Sequence, residues 1–85
     1  MISETKKTSF PLFRKLQHVG RFYCICEENK FIEVYYLGNT KIENIIVAHQ
    51  YPEMLRIMDM INFELGFIEM TIEEIELQFS SYIPK

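Results

Sequence analysis

The chain reads as an α+β domain: a three-stranded antiparallel meander, extendable to a fourth strand by residues 9–17, with two C-terminal helices packed on one face. Three observations carry this reading. Apolar and β-branched residues fill positions 19–49 and are interrupted by two tight-turn signals; Pro52 opens a segment of helical periodicity directly after the third run; and Thr71-Ile72-Glu73-Glu74 has the form of a capping box.

In order along the chain, residues 1–8 are polar, offer Ile2 alone for burial and are expected to fray, leaving a single α+β domain over residues 9–85. Over residues 9–19, Phe10, Leu12, Phe13 and Leu16 are apolar while Arg14 and Lys15 are not. Pro11 suits either the first turn of a short helix or an edge strand, and periodicity does not separate the two. The preferred reading is a short edge strand or irregular cover over residues 11–16. Gly20 marks a bend or bulge at the entrance to the sheet.

The meander can be read pair by pair. A two-residue loop at Glu28-Asn29 sets Glu27 against Lys30, an opposite-charge pair, Ile25 against Ile32 and Tyr23 against Val34. For the second turn, a loop at Asn39-Thr40 sets Val34 against Ile45, whereas one at Gly38-Asn39 sets Val34 against Glu43; the first is preferred, with Asn39 at positive φ. Period-two alternation then gives one face Tyr23, Ile25, Ile32, Val34, Tyr36, Ile45 and Val47. The other receives Phe22, Cys24, Cys26, Phe31, Tyr35, Leu37, Ile42, Ile46 and Ala48, interrupted by Glu33 and Asn44. Neither face reads as solvated, so the sheet needs cover on both sides, or one layer and a partner.

Pro52 biases Tyr51 toward extended backbone and places a helix start at Pro52 or Glu53. Across residues 53–65, Met54, Ile57, Met58, Ile61 and Leu65 form one stripe at about 100° per residue, with Arg56, Asp59 and Asn62 opposite. Met60 and Phe63 project near the polar side, which makes them candidates for a contact site. Gly66 stops this helix, and Phe67 can supply the contact that accompanies such a cap. A second helix runs from about Ile72 to Ser80 with Ile72, Ile75, Phe79 and Tyr82 inward, and Glu73, Glu74 and Gln78 outward. Pro84 ends it.

Eighty-five residues make one domain, and the chain carries a net charge of −3 with 48% hydrophobic residues. A chain this short buries only about 60–65% of its unfolded surface, so every apolar segment contributes to one core. No apolar run approaches the roughly 18 residues of a membrane span, and the N-terminus does not read as a signal peptide. With two cysteines rather than a larger framework, the expected compartment is the cytoplasm. Residues 1–30 hold six Lys or Arg against three Glu, and residues 31–85 hold three against nine acidic residues. That asymmetry reads as solvated surface with ion pairs between the two ends of the chain.

Candidate chemistry is sparse. Cys24 and Cys26 share one strand face, but His18 and His49 lie elsewhere, so no four-ligand zinc set forms and buried structural thiols are the simpler reading. No cofactor and no metal is expected, and no nucleophile elbow or phosphate-cradling loop occurs, so the chain is not expected to be an enzyme. The acidic run Glu73, Glu74 and Glu76 lacks calcium-loop spacing. Glu33 interrupts an apolar face, where it can pair with a base, sit beside tyrosines with a raised pKa, or mark where cover ends.

These readings converge on a non-enzymatic interaction domain that binds a protein partner or a second copy of itself through an apolar sheet face. The interaction candidates are Phe22, Tyr35, Met60, Phe63, Arg21 and Glu33. The rival is a weak single-strand nucleic-acid binder that stacks bases on Phe22 and Tyr35 beside Arg21. An acidic chain without an RNP-like string makes nucleic acid the less favoured partner. No membrane partner is expected.

Overall fold

Five strands and two helices follow one another in the computed structural model, which describes residues 9–16 and 18–82: β1 (Leu12–Leu16), β2 (Arg21–Glu27), β3 (Lys30–Leu37), β4 (Thr40–Val47), α1 (Tyr51–Ile61), β5 (Phe67–Glu69) and α2 (Ile72–Phe79), closed by a 3-10 turn at Ser80–Tyr82. The expected fraying of residues 1–8 and the stop at Pro84 lie outside the described residues. All strands pair antiparallel in the order β4-β3-β2-β1-β5. The α+β class and the meander are as expected, and the strand count is higher. Residues 12–16 do form the fourth strand, but not an edge one, because the short β5 pairs along β1's outer side.

A single bulge decides which face each β2 residue takes. Glu27 faces Lys30 as expected, but Ile25 then faces Phe31, Cys24 faces Ile32 and Tyr23 faces Glu33, leaving Cys26 as the extra residue. Two residues opposing one shifts the register by one position on the far side of the bulge from the turn, and because side chains alternate, it moves the β2 side chains from Ile25 back toward Arg21 to the other face. Tyr23 and Ile25 therefore join Phe31, while Cys24 and Phe22 join Ile32 and Val34.

The second turn also corrects the expected pairing. Leu37 pairs with Thr40 around Gly38-Asn39, and Val34 faces Glu43 rather than Ile45. Gly38, not Asn39, carries the positive φ, 61°; without a Cβ it does so at no steric cost. Glu43 tolerates its place opposite Val34 because it is exposed to water.

The two helices lie on opposite faces of the sheet, not on one. α1 brings Ile57 and Met60 onto Tyr23, Ile25, Phe31, Ala48 and Phe67, with Leu12, Leu16 and Ile46 at the rim. α2 brings Phe79 and Ile75 onto Cys24, Ile32, Val34 and Met70, with Phe13 and Phe22. The physical reason is the two-sided apolar sheet: β5 carries the chain along the sheet edge between the helices, so each face gains a layer.

Within α1 the buried residues are Ile57 and Met60, with Ile61 half-buried beside them, while Met54 and Met58 face water. Met60, expected near the polar side, is fully buried. The helix is apolar on two sides, and periodicity cannot say which one meets the sheet. It also ends early: Phe63, Leu65 and Gly66 all take positive φ. In α2 the capping box forms, with Thr71 Oγ1 accepting from the Glu74 amide at 3.1 Å and Glu74 Oε1 accepting from the Thr71 amide at 2.8 Å. Ile72 is exposed and Gln78 buried, the reverse of expectation, because Tyr36 donates to Gln78 Oε1 and Lys41 to its backbone oxygen. The side chain of Tyr82 lies outside the described residues. Among these residues no helix is long and apolar enough to cross a membrane.

Candidate functional site

α2 is eight residues long, too short to cover a sheet face made by five strands. It starts beside β5 and reaches Tyr36 and Lys41 at the far end of the β3-β4 hairpin. That diagonal leaves one quadrant bare, at the end of the sheet nearest the β2-β3 turn. There Ile45 lies opposite the buried Ile32 and Val47 opposite Lys30, and the two are 60% and 40% exposed. A groove of about 280 Å³ runs through this quadrant, lined by Pro11, Cys24, Cys26, Lys30, Ile32 and Ile45.

β4 borders the quadrant as the outermost strand. It is eight residues long, unbroken by bulge or proline, and among the described residues no strand pairs with its outer side. Natural edge strands are commonly protected by a bulge, a proline or brevity. β4 has none of these; Lys41 and Glu43 supply charge near its start, where they approach each other at 3.9 Å.

Three of the expected interaction residues do gather, on the α1 side. Glu33 is buried, and its Oε2 accepts from Tyr23 at 3.0 Å, Arg21 at 3.0 Å and Arg56 at 3.2 Å. The Arg21 guanidinium stacks on the Tyr35 ring at 4.3 Å, and Arg56 also donates to the Tyr23 hydroxyl. Burial, and then the Glu33 carboxylate, push the Tyr23 phenol above its ordinary pKa. Three donors converging on one carboxylate oxygen make this a structural knot that fixes α1 over β2 and β3. Tyr23 and Arg56 are not singled out by the sequence, since only the bulge brings Tyr23 opposite Glu33.

The other candidates scatter. Phe22 lies on the α2 side, so it shares no face with Tyr35, and the stacking platform of the nucleic-acid reading does not assemble. Met60 is core. Phe63 is about half exposed and carries the Arg14 guanidinium 4.2 Å over its ring. Arg14 itself is a buried cation that sequence reasoning passes over: its Nε donates to the Met60 carbonyl at 2.9 Å, in the last turn of α1, where a positive group suits the helix end.

Cys24 and Cys26 are free thiols with sulfurs 3.9 Å apart; burial first, then Cys26, push the Cys24 thiol well above its ordinary pKa. A second exposed apolar stripe runs along the outer side of α1 through Tyr51, Met54, Leu55 and Met58. No protein-family model matches the chain, and no curated protein or solved structure is found to be similar to it.

Proposed function

We propose that this domain is a non-catalytic association module that takes a partner strand along β4 and covers the bare quadrant beside it, the partner being β4 of a second copy. The observation that carries the reading is Ile45: it sits opposite a fully buried isoleucine in the same sheet and yet is 60% exposed. Main-chain hydrogen bonds along an open edge supply affinity, and the apolar side chains beside it supply specificity.

Pairing with itself is chemically consistent. A two-fold axis at Asn44 sets Ile42 against Ile46, Glu43 against Ile45 and Lys41 against Val47, so no like charges meet across the ladder. The result is a continuous ten-stranded sheet with both edges reduced to the three-residue β5. A reducing compartment such as the cytoplasm suits the two free thiols.

Sedimentation velocity across a concentration series tests this. Wild type is expected to pass from monomer to dimer within the micromolar range, and Ile45→Glu, which would place a carboxylate against the partner's Glu43, is expected to remain monomeric. A monomer at every concentration, or an Ile45→Glu dimer as tight as wild type, contradicts the reading. A second docking surface is favoured by the exposed Tyr51, Met54, Leu55 and Met58 stripe. It has the spacing of a helix-in-groove ligand, and Met58→Glu rather than Ile45→Glu would then abolish association.

A further inference from the structure

The end of α2 is aimed at the outer side of β4. Glu74, in its first turn, is bonded by Lys15 of β1, whereas Gln78, in its last, is bonded by Tyr36 of β3 and Lys41 of β4. Lys15, Phe22, Val34 and Glu43 form one row across the sheet, and Tyr36 and Lys41 belong to the row two residues further on. The helix therefore travels across the strands, from β1 toward β4. Ser80 keeps helical backbone angles, so the 3-10 turn Ser80–Tyr82 carries the chain on in that direction. Ile83, Pro84 and Lys85 follow it in the sequence.

Distance decides which bare quadrant this chain end can meet. Its own Ile45 and Val47 lie about 13 and 20 Å back along β4 from Lys41. Residues 83–85 span at most about 10 Å, which falls short of both. Pairing of two copies about Asn44 reverses this. It sets the partner's Lys41 directly opposite Val47, about 5 Å away, and the partner's Glu43 opposite Ile45. The partner's α2 then ends one strand from the quadrant and points into it. Charge agrees with this placement: α2 has no basic residue in its last turn, a cation is favoured at a helix C-terminus, and Lys30 lies next to Val47 in the same row.

We propose that, in the pair joined along β4, residues 80–85 of each copy cross the seam and close the other copy's bare quadrant, with Ile83 seated in the groove between Pro11, Cys26, Ile32 and Ile45. This exchange presupposes the pairing proposed above and supplies what covers Ile45 in it. It is reciprocal, as a two-fold axis requires, and it brings Lys30 of one copy to the carbonyl end of the other's helix.

Two measurements on the full chain test it. In sedimentation velocity, Ile83→Glu is expected to weaken self-association about tenfold or more, since a carboxylate replaces a buried aliphatic side chain, with an unchanged circular dichroism spectrum. Affinity equal to wild type overturns the proposal. The second measurement mixes wild type with a chain bearing Ile83→Cys and Cys26→Ser, oxidises the mixture with oxidised glutathione and maps the disulfides by peptide mass spectrometry. A link from wild-type Cys26 to the thiol introduced at position 83 is expected, in a covalent dimer. A wild type that dimerises while this link fails to form overturns the tail exchange and leaves the strand pairing standing. A wild type that stays monomeric at every concentration overturns both. Should Ile83→Glu fail to fold, the presence or absence of the link decides.

Discussion

Tyr23 and Glu33 face each other across β2 and β3, and the phenol donates to the Glu33 Oε2 at 3.0 Å. Arg21 and Arg56 reach the same oxygen, one from the start of β2 and one from α1. A buried carboxylate is tolerated there because its charge is matched twice over and its acceptor filled. Glu33→Ala would leave two cations and a buried hydroxyl without their common partner. With both arginines partly exposed, the expected loss is about 2–3 kcal/mol in urea unfolding, with Glu33→Gln costing less. A loss under about 0.5 kcal/mol would show that the knot is not structural.

The same pair predicts an alkaline limit. Burial and the facing carboxylate raise the Tyr23 pKa in the folded state above its ordinary value of 10.0. The unfolded chain therefore releases this proton first. The contribution is complete below about pH 10 and declines as pH rises from there toward the folded value. Tyr23→Phe is expected to flatten that part of the stability profile above about pH 10, read by chemical denaturation at each pH; an unchanged slope contradicts the assignment.

At α2 the cap predicts an acid limit. Hydrogen bonding from Lys15 at 2.6 Å, then the Thr71 amide, holds the Glu74 carboxyl below its ordinary 4.5. Its contribution is present above that value and is lost as pH falls through the lower folded one. Because both partners of the pair are partly exposed to water, the effect is small. Thr71→Ala, which removes the reciprocal acceptor, is expected to cost about 1 kcal/mol at neutral pH, and urea midpoints for the two chains measure it.

Arg14→Met keeps the side-chain length and apolar stem but removes the donor to Met60 and the cation over Phe63. The α1 C-terminus loses its only described side-chain bond to a backbone carbonyl of that last turn, and an expected loss of about 1–3 kcal/mol follows. Amide exchange should rise first at Asn62 and Phe63, whose amides bond to Met58 and Met60. Uniform exchange across the domain would contradict a local role.

Much of this is legible in the residues. The meander and the Thr71 to Glu74 box are each set by a few neighbours in sequence and form where expected, while α1 begins at Tyr51, one residue before the expected Pro52, with the proline inside its first turn. What is not legible depends on distant partners. Glu27 pairs with Lys30 whether or not Cys26 bulges, so nothing local reveals that β2 has turned over, and with it the faces of Phe22 and Tyr23. Met60 and Met58 are both apolar positions on a helix with two greasy sides, and which goes inward depends on the distant residues it packs against, Tyr23, Ile25, Phe31 and Phe67. The excess of apolar area on both faces is visible in the sequence, whereas its location beside Ile45 requires knowing that α2 crosses diagonally.

The most direct measurement is amide exchange of β4 at rising protein concentration. If two copies pair along this strand, the amides of Thr40–Val47 that point away from β3 gain protection as concentration increases, and Ile45→Glu abolishes the gain. If those amides exchange at one fast rate at every concentration while the β3-facing ones stay protected, the edge is free and the association reading fails.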